Sequence, residues 1–162
     1  MAASLLTIAA PAMAQAETPT MTADGSVSVV MPCQQPEDAT NDTDFLEGWL
    51  CLDENAMFVM IVSTGPQGAA YQPFTSDFDA LVADVSDDIS TGNVDESMVD
   101  GRRTLVASMN EGGTNGSMRA VQIAPDRVAY AITMSNPDAP EALKASIRER
   151  GMAFLDSMEI HQ

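Results

Sequence analysis

The chain predicts an α+β domain, a mainly antiparallel β-sheet with a middle helix and a C-terminal helix packed on it. Three observations carry that prediction. Apolar residues recur at every second position in several separate stretches, the pattern of half-buried strands. Residues 76–90 and 138–158 switch to helical period. Turn-forming residues, not long crossovers, separate the later strands, as antiparallel neighbours require.

The first sixteen residues, MAASLLTIAAPAMAQA, read as an export signal. An apolar run from Leu5 to Ala10 leads into the small-x-small site Ala12-Met13-Ala14. With no charged n-region in these residues, the natural start is expected upstream of Met1. The mature chain is expected to begin near Gln15 and to be periplasmic or secreted. Residues 17–25 read as a mobile leader, and 26–162 as a single domain, in line with ordinary domain size.

The first strand is Val27, Val29 and Met31 alternating with Ser26, Ser28 and Val30, ended by Pro32. Residues 34–47 read as one polar loop. An extended pattern resumes from Trp49 to Leu52, and a turn at Glu54-Asn55 leads into Ala56–Val62. That run is apolar on both alternating faces, as suits a central strand covered on two sides.

Phe78, Leu81, Val82, Val85 and Ile89 then share one helical face, with Ser76 as the expected N-cap and Asp77 and Asp79 favourable at the positive end of the dipole. Residues 94–99 form a weak strand. Arg103, Leu105, Ala107 and Met109 alternate in the next, followed by a glycine-rich hairpin loop over 111–117. Met118–Ala124, a Pro125-Asp126 turn, and Val128, Tyr130, Ile132 and Met134 complete a meander. The closing helix takes Asp138 as its expected N-cap and Leu143, Ile147, Phe154, Leu155 and Met158 as its buried stripe. Gly151 lies on that stripe and marks a close approach of helix to sheet.

Taken together, "SVSVVMP", the central apolar strand, the middle helix, "GRRTLVASMNE", "RVAYAITM" and a closing helix ending "FLDSMEI" resemble the Mog1/PsbP-like α/β/α sandwich, especially its small secreted bacterial members. The likeness covers residues 26–160. It implies a non-catalytic accessory, assembly or adaptor role, and assigns no functional residue.

Charge narrows the partners. The chain has 24 acidic and 7 basic residues, a formal net charge of −17. Residues 1–101 hold 17 of the acids and no Lys or Arg. Nucleic acid is disfavoured as a partner, because affinity there rests on cations neutralising phosphates, and anionic membrane surfaces are disfavoured for the same reason. A cation or a basic protein partner fits better. No stretch is long and apolar enough for a membrane span. So high a net charge favours a monomer. No cofactor motif occurs.

Cys33 and Cys51, the only cysteines, are expected to form a disulfide in an exported chain. A redox pair would read Cys-x-x-Cys, and a zinc site would want four close ligands. The acidic stretch 37–47 offers Asp38, Asp42, Asp44 and Glu47 as hard-oxygen ligands for calcium, without EF-hand spacing; a solvated acidic surface is the simpler reading. Met57 and Met60 sit on opposite faces of a strand and read as core. Arg102 and Arg103 suggest either an anion site or pairs with Asp95, Glu96 or Asp100. Trp49 and Tyr71 could stack a ligand, with Trp49 against the bridge as the simpler role. No catalytic residue is assigned: the single histidine, His161, lies on the tail, and no nucleophile elbow or phosphate loop is present. The sequence therefore points to an exported binding or accessory module, with a cation-responsive protein and a carboxylate-based hydrolase as alternatives.

Overall fold

The computed structural model describes residues 18–41, 46–64, 74–88, 91–111 and 114–161. Its elements are β1 (Thr20–Met21), β2 (Val27–Val29), β3 (Glu37–Asp38), β4 (Leu46–Leu52), β5 (Ala56–Thr64), α1 (Phe78–Asp87), β6 (Thr91–Val99), β7 (Arg102–Glu111), β8 (Thr114–Ala124), β9 (Arg127–Ser135), α2 (Glu141–Asp156) and β10 (Glu159–Ile160). Seven strands form one antiparallel sheet in the order β3-β4-β5-β9-β8-β7-β6, and β1-β2-β10 form a small second sheet. The fold is α+β, as expected.

The alternation of β5 decides the layering. Ala56, Phe58, Met60 and Val62 face a core shared with Ile147, Phe154 and Leu155 of α2 and Val27 and Val29 of β2. Val59 and Ile61 face a core shared with Phe78 and Leu81 of α1 and with Tyr130 of β9. Each helix thus covers one face of the large sheet, and β5 is apolar on both sides because both sides are covered. Met57 and Met60 fall in the two different cores.

Several boundaries differ from the sequence reading, each for a local reason. Residues read as a leader supply β1, whose Thr20 and Met21 pair with Val29 and Ser28. The stretch read as a single loop contains β3, paired to Trp49 and Leu50. Two-residue strands carry no period, so alternation cannot reveal them. The N-cap of α1 is Asp77, whose carboxylate accepts from the amides of Asp79 (3.0 Å) and Ala80 (3.2 Å). Ser76 is buried one position earlier. Helix α2 begins at Glu141 behind Pro140, without a side-chain cap. Asp138 instead closes a turn, its amide donating to Asn136 Oδ1. Leu143, in the first turn of α2, is 42% exposed; Ile147, Phe154, Leu155 and Met158 are buried.

Gly151 does mark a close approach. A Cβ there would lie 3.0 Å from Thr133 Cγ2 and 3.1 Å from Thr133 Oγ1. Helix and sheet meet at this point with no room for a side chain, and on one side of it they diverge into a cleft.

Candidate functional site

Strand register assembles the floor of that cleft. Ser108 pairs with Ser117, and Ser117 with Thr133, placing three hydroxyls in one row across β7, β8 and β9. The same row continues to Phe58 on β5, where Phe154 of α2 covers it. The row turns hydroxylic at Thr133, beneath Gly151 of α2, and continues so outward to Ser117 and Ser108. One step along, Asn110 pairs with Asn115, whose amide donates to Ser135 Oγ at 3.2 Å while that hydroxyl donates back to the Asn115 carbonyl at 3.0 Å. Gly92, at a register shift in β6, leaves the Ser108 end uncrowded; a Cβ there would meet Ser108 Oγ at 2.9 Å.

The wall comes from α2. Lys144, Arg148 and Met152 recur every four residues and line the cleft beside Ile147. The enclosed volume is about 390 Å³, within the range of small-ligand sites. Like charges at i, i+4 oppose helix stability by a few tenths of a kcal/mol, at about 0.2–0.5. Lys144 is partly compensated by Glu141 at 2.7 Å. Arg148 has no ion-pair partner among the described residues.

That matters because acids are plentiful. Arg103 bridges Asp79 (2.6 Å) and Glu96 (2.8 Å), Arg127 binds Asp24 (2.6 Å) and Arg150 binds Asp53 (2.8 Å). The expected pairing of Arg103 with Glu96 therefore forms. Arg102, one residue away on the opposite face of β7, has no such partner among the described residues. In a chain with 24 acids and 7 bases, an unpaired arginine lining a cavity is a charge left for something else.

Two of these pairs predict acid behaviour. Arg127, then the hydroxyl and amide of Ser26, hold the Asp24 carboxyl well below the usual range. For Asp53, burial pushes upward, but the amides of Asn55 and Ala56 together with Arg150 outweigh it, and the net shift is downward. A carboxyl whose folded pKa is depressed stabilises the fold above its unfolded pKa and loses that contribution as pH falls through the folded value. Melting temperature should hold from neutral pH to about pH 5 and fall below about pH 4. Asp24→Asn should melt lower at pH 7 and lose less on acidification. An unchanged acid slope in that variant would dissociate Asp24 from the effect.

The groups lining the cleft can recognise a ligand. Hydroxyls and amides on the floor donate and accept, and Lys144 and Arg148 supply charge-assisted donors. No carboxylate or imidazole lies among its described lining residues, and its one amine, Lys144, is engaged by Glu141 at 2.7 Å. His161 is elsewhere, its Nε2 2.7 Å from Ser28 Oγ. Ser28 is 3% exposed in β2 and out of reach of a substrate.

The residues singled out from sequence fall away from this cleft. Cys33 and Cys51 form a disulfide with their Cα atoms 6.1 Å apart, and Trp49 packs on the same core. Asp38 and Glu47 line a separate open depression with Trp49. There Asp38 accepts from the Thr40 amide at 2.9 Å and Glu47 from the Ala23 amide at 2.6 Å. Asp42, Asp44 and Tyr71 lie outside the described residues. No group of three or more His, Cys, Asp or Glu arranged to hold a metal occurs among the described residues. The sequence signal that was available for the cleft is the Lys144–Arg148 spacing, two like charges four apart on a helix of an anionic chain. No helix among the described residues is long and apolar enough to cross a membrane. Compared with protein-family models and with curated protein sequences, the chain matches none.

Proposed function

We propose that this chain is an exported, non-catalytic binding module whose cleft under α2 takes a small, hydroxyl-rich anion such as a sugar acid. The observation that carries the proposal is the pairing of an in-register hydroxyl row, Ser108–Ser117–Thr133, with two cations, Lys144 and Arg148, in a protein otherwise short of cations. Polyhydroxylated ligands need many alternating donors and acceptors, which the floor supplies, and a carboxylate selects the cationic wall. Export is supported by the opening apolar run and by the disulfide. Helices on both faces of a central sheet support the likeness to Mog1/PsbP-like sandwiches and, with it, an accessory role.

Titration calorimetry with D-glucuronate and D-glucose tests the proposal. Glucuronate should bind and glucose should bind at least about tenfold more weakly, the value of one charge-assisted contact. Arg148→Gln should remove most of that preference while leaving the fold intact, since Arg148 is exposed and has no ion-pair partner among the described residues. Equal affinity for both sugars, or no binding of either, would reject the proposal. A cation-responsive protein is the second reading, favoured by Asp38 and Glu47 sharing one depression. A calcium-dependent rise in melting temperature at fixed ionic strength, saturating at low calcium, would carry it.

A further inference from the structure

A second cleft, of about 320 Å³, lies between the outer part of the same sheet face and the edge of β10, and shares no lining residue with the first. At its base is Thr104, 2% exposed, whose Oγ1 is the one buried side-chain oxygen among the described residues without a hydrogen-bond partner. Such a hydroxyl costs stability unless something completes it.

Two guanidinium groups flank it. Arg102 precedes Thr104 by two positions on β7 and so shares its face. Arg119 lies diagonally across on β8, since Thr104 pairs with Val121 and Val106 with Arg119. Arg119 is fixed by one nitrogen, which donates to the carbonyls of Leu155 (3.2 Å) and Met158 (3.5 Å) at the end of α2. A guanidinium carries five N–H donors, so most of this one is uncommitted. Arg102 is uncommitted altogether among the described residues. Acids sit at the rim: Asp100, held there by an Asp-Gly turn with both φ angles positive (50° and 76°), and Glu159 of β10. Val99, Val121, Met158 and Ile160 supply the apolar part of the lining, and His161, whose Nε2 is engaged with Ser28 Oγ at 2.7 Å, completes it.

A simple anion would meet the carboxylates as well as the arginines, and a simple cation the reverse. A ligand carrying both charges and an apolar group satisfies all three parts. We infer that this cleft binds a zwitterion of the α-amino-acid class with an apolar side chain. Its carboxylate lies among Arg102, Thr104 and Arg119, and its ammonium faces Asp100 and Glu159. The side chain rests on Val99 and Met158.

L-Leucine and its two half-analogues test this by titration calorimetry on the whole protein. Leucine binds; leucinamide, lacking the carboxylate, and 4-methylpentanoate, lacking the ammonium, bind about tenfold more weakly or worse. Arg102→Gln weakens leucine by a similar factor with the unliganded melting temperature unchanged. Thr104→Val raises the unliganded melting temperature, because an orphaned hydroxyl is removed, and yet weakens leucine. That opposition separates a ligand contact from a merely structural residue. Arg148→Gln leaves leucine affinity as it was, so failure here is distinct from failure of the sugar-acid cleft. No leucine binding at millimolar concentration, equal binding of 4-methylpentanoate, or indifference to Arg102→Gln overturns the inference.

Discussion

Phe154→Ala should lower the free energy of unfolding by about 3–5 kcal/mol, the usual cost of removing a buried aromatic ring. Phe154 is 2% exposed and its ring meets Phe58 edge-on, with centroids 5.7 Å apart and planes at 76°. The contact joins α2 to the central strand, and its neighbours in the core are Ile147, Leu155 and Met158. The Gly151–Thr133 approach allows little inward collapse, so the vacated space should persist as a cavity. Leu143→Ala on the same helix is the control. At 42% exposure it should change stability by no more than about 0.5 kcal/mol. Urea unfolding of both variants makes the comparison. An unchanged midpoint for Phe154→Ala would show that α2 is peripheral, and the cleft it walls would lose its rigid side.

Breaking the Cys33–Cys51 bridge should cost about 3 kcal/mol on the chain-entropy account of a loop this size. The two residues are 18 apart in sequence, and the closed loop contains β3 and most of β4. The bridge ties the end of β2 to β4 of the large sheet. β2 has three residues and pairs only with two-residue partners. Without the covalent tie, that small sheet is held by Val27 and Val29 in the core and by the polar ties Asp24–Arg127 and Ala23–Glu47. Reduced protein, or the Cys33→Ser, Cys51→Ser double variant, should unfold at markedly lower urea. Thiol titration of denatured, unreduced protein should find no free thiol. Two free thiols would refute the bridge, and equal stability of oxidised and reduced protein would make it structurally idle.

How much of this was legible in the sequence follows from where periodicity carries information. β5 and β9 were plain for different reasons: β5 is a continuous apolar run bounded by turn residues, and β9 alternates large apolar residues with smaller or polar ones. β1, β3 and β10 were hidden, being two residues long, and β10 also has its partner, β2, at the far end of the chain. Asp77 in place of Ser76 is a one-position error between two good capping residues, settled by which side chain reaches the free amides. Leu143 fits the helical period of α2, but period alone cannot say where the sheet beneath ends.

The cleft was hidden for a different reason. Ser108, Ser117 and Thr133 each occupy an ordinary polar position on a strand. Only the pairing of β7 with β8 and β8 with β9 turns three unrelated hydroxyls into a row. Arg102 and Arg103 read alike as neighbours, yet they point to opposite faces. Arg103 pairs with Asp79 and Glu96 and lies 4.7 Å over the Phe78 ring, while Arg102 faces the second cleft.

The central claim is that the hydroxyl row and the α2 cations form one ligand site. Amide chemical-shift mapping of the isotopically labelled protein during titration with D-glucuronate tests it most directly. The largest shifts should fall on Ser108, Ser117, Thr133 and the Lys144–Arg148 turn, saturate together, and vanish in Arg148→Gln. Shifts centred on Asp38 and Glu47, or small changes spread over the surface without saturation, would contradict it.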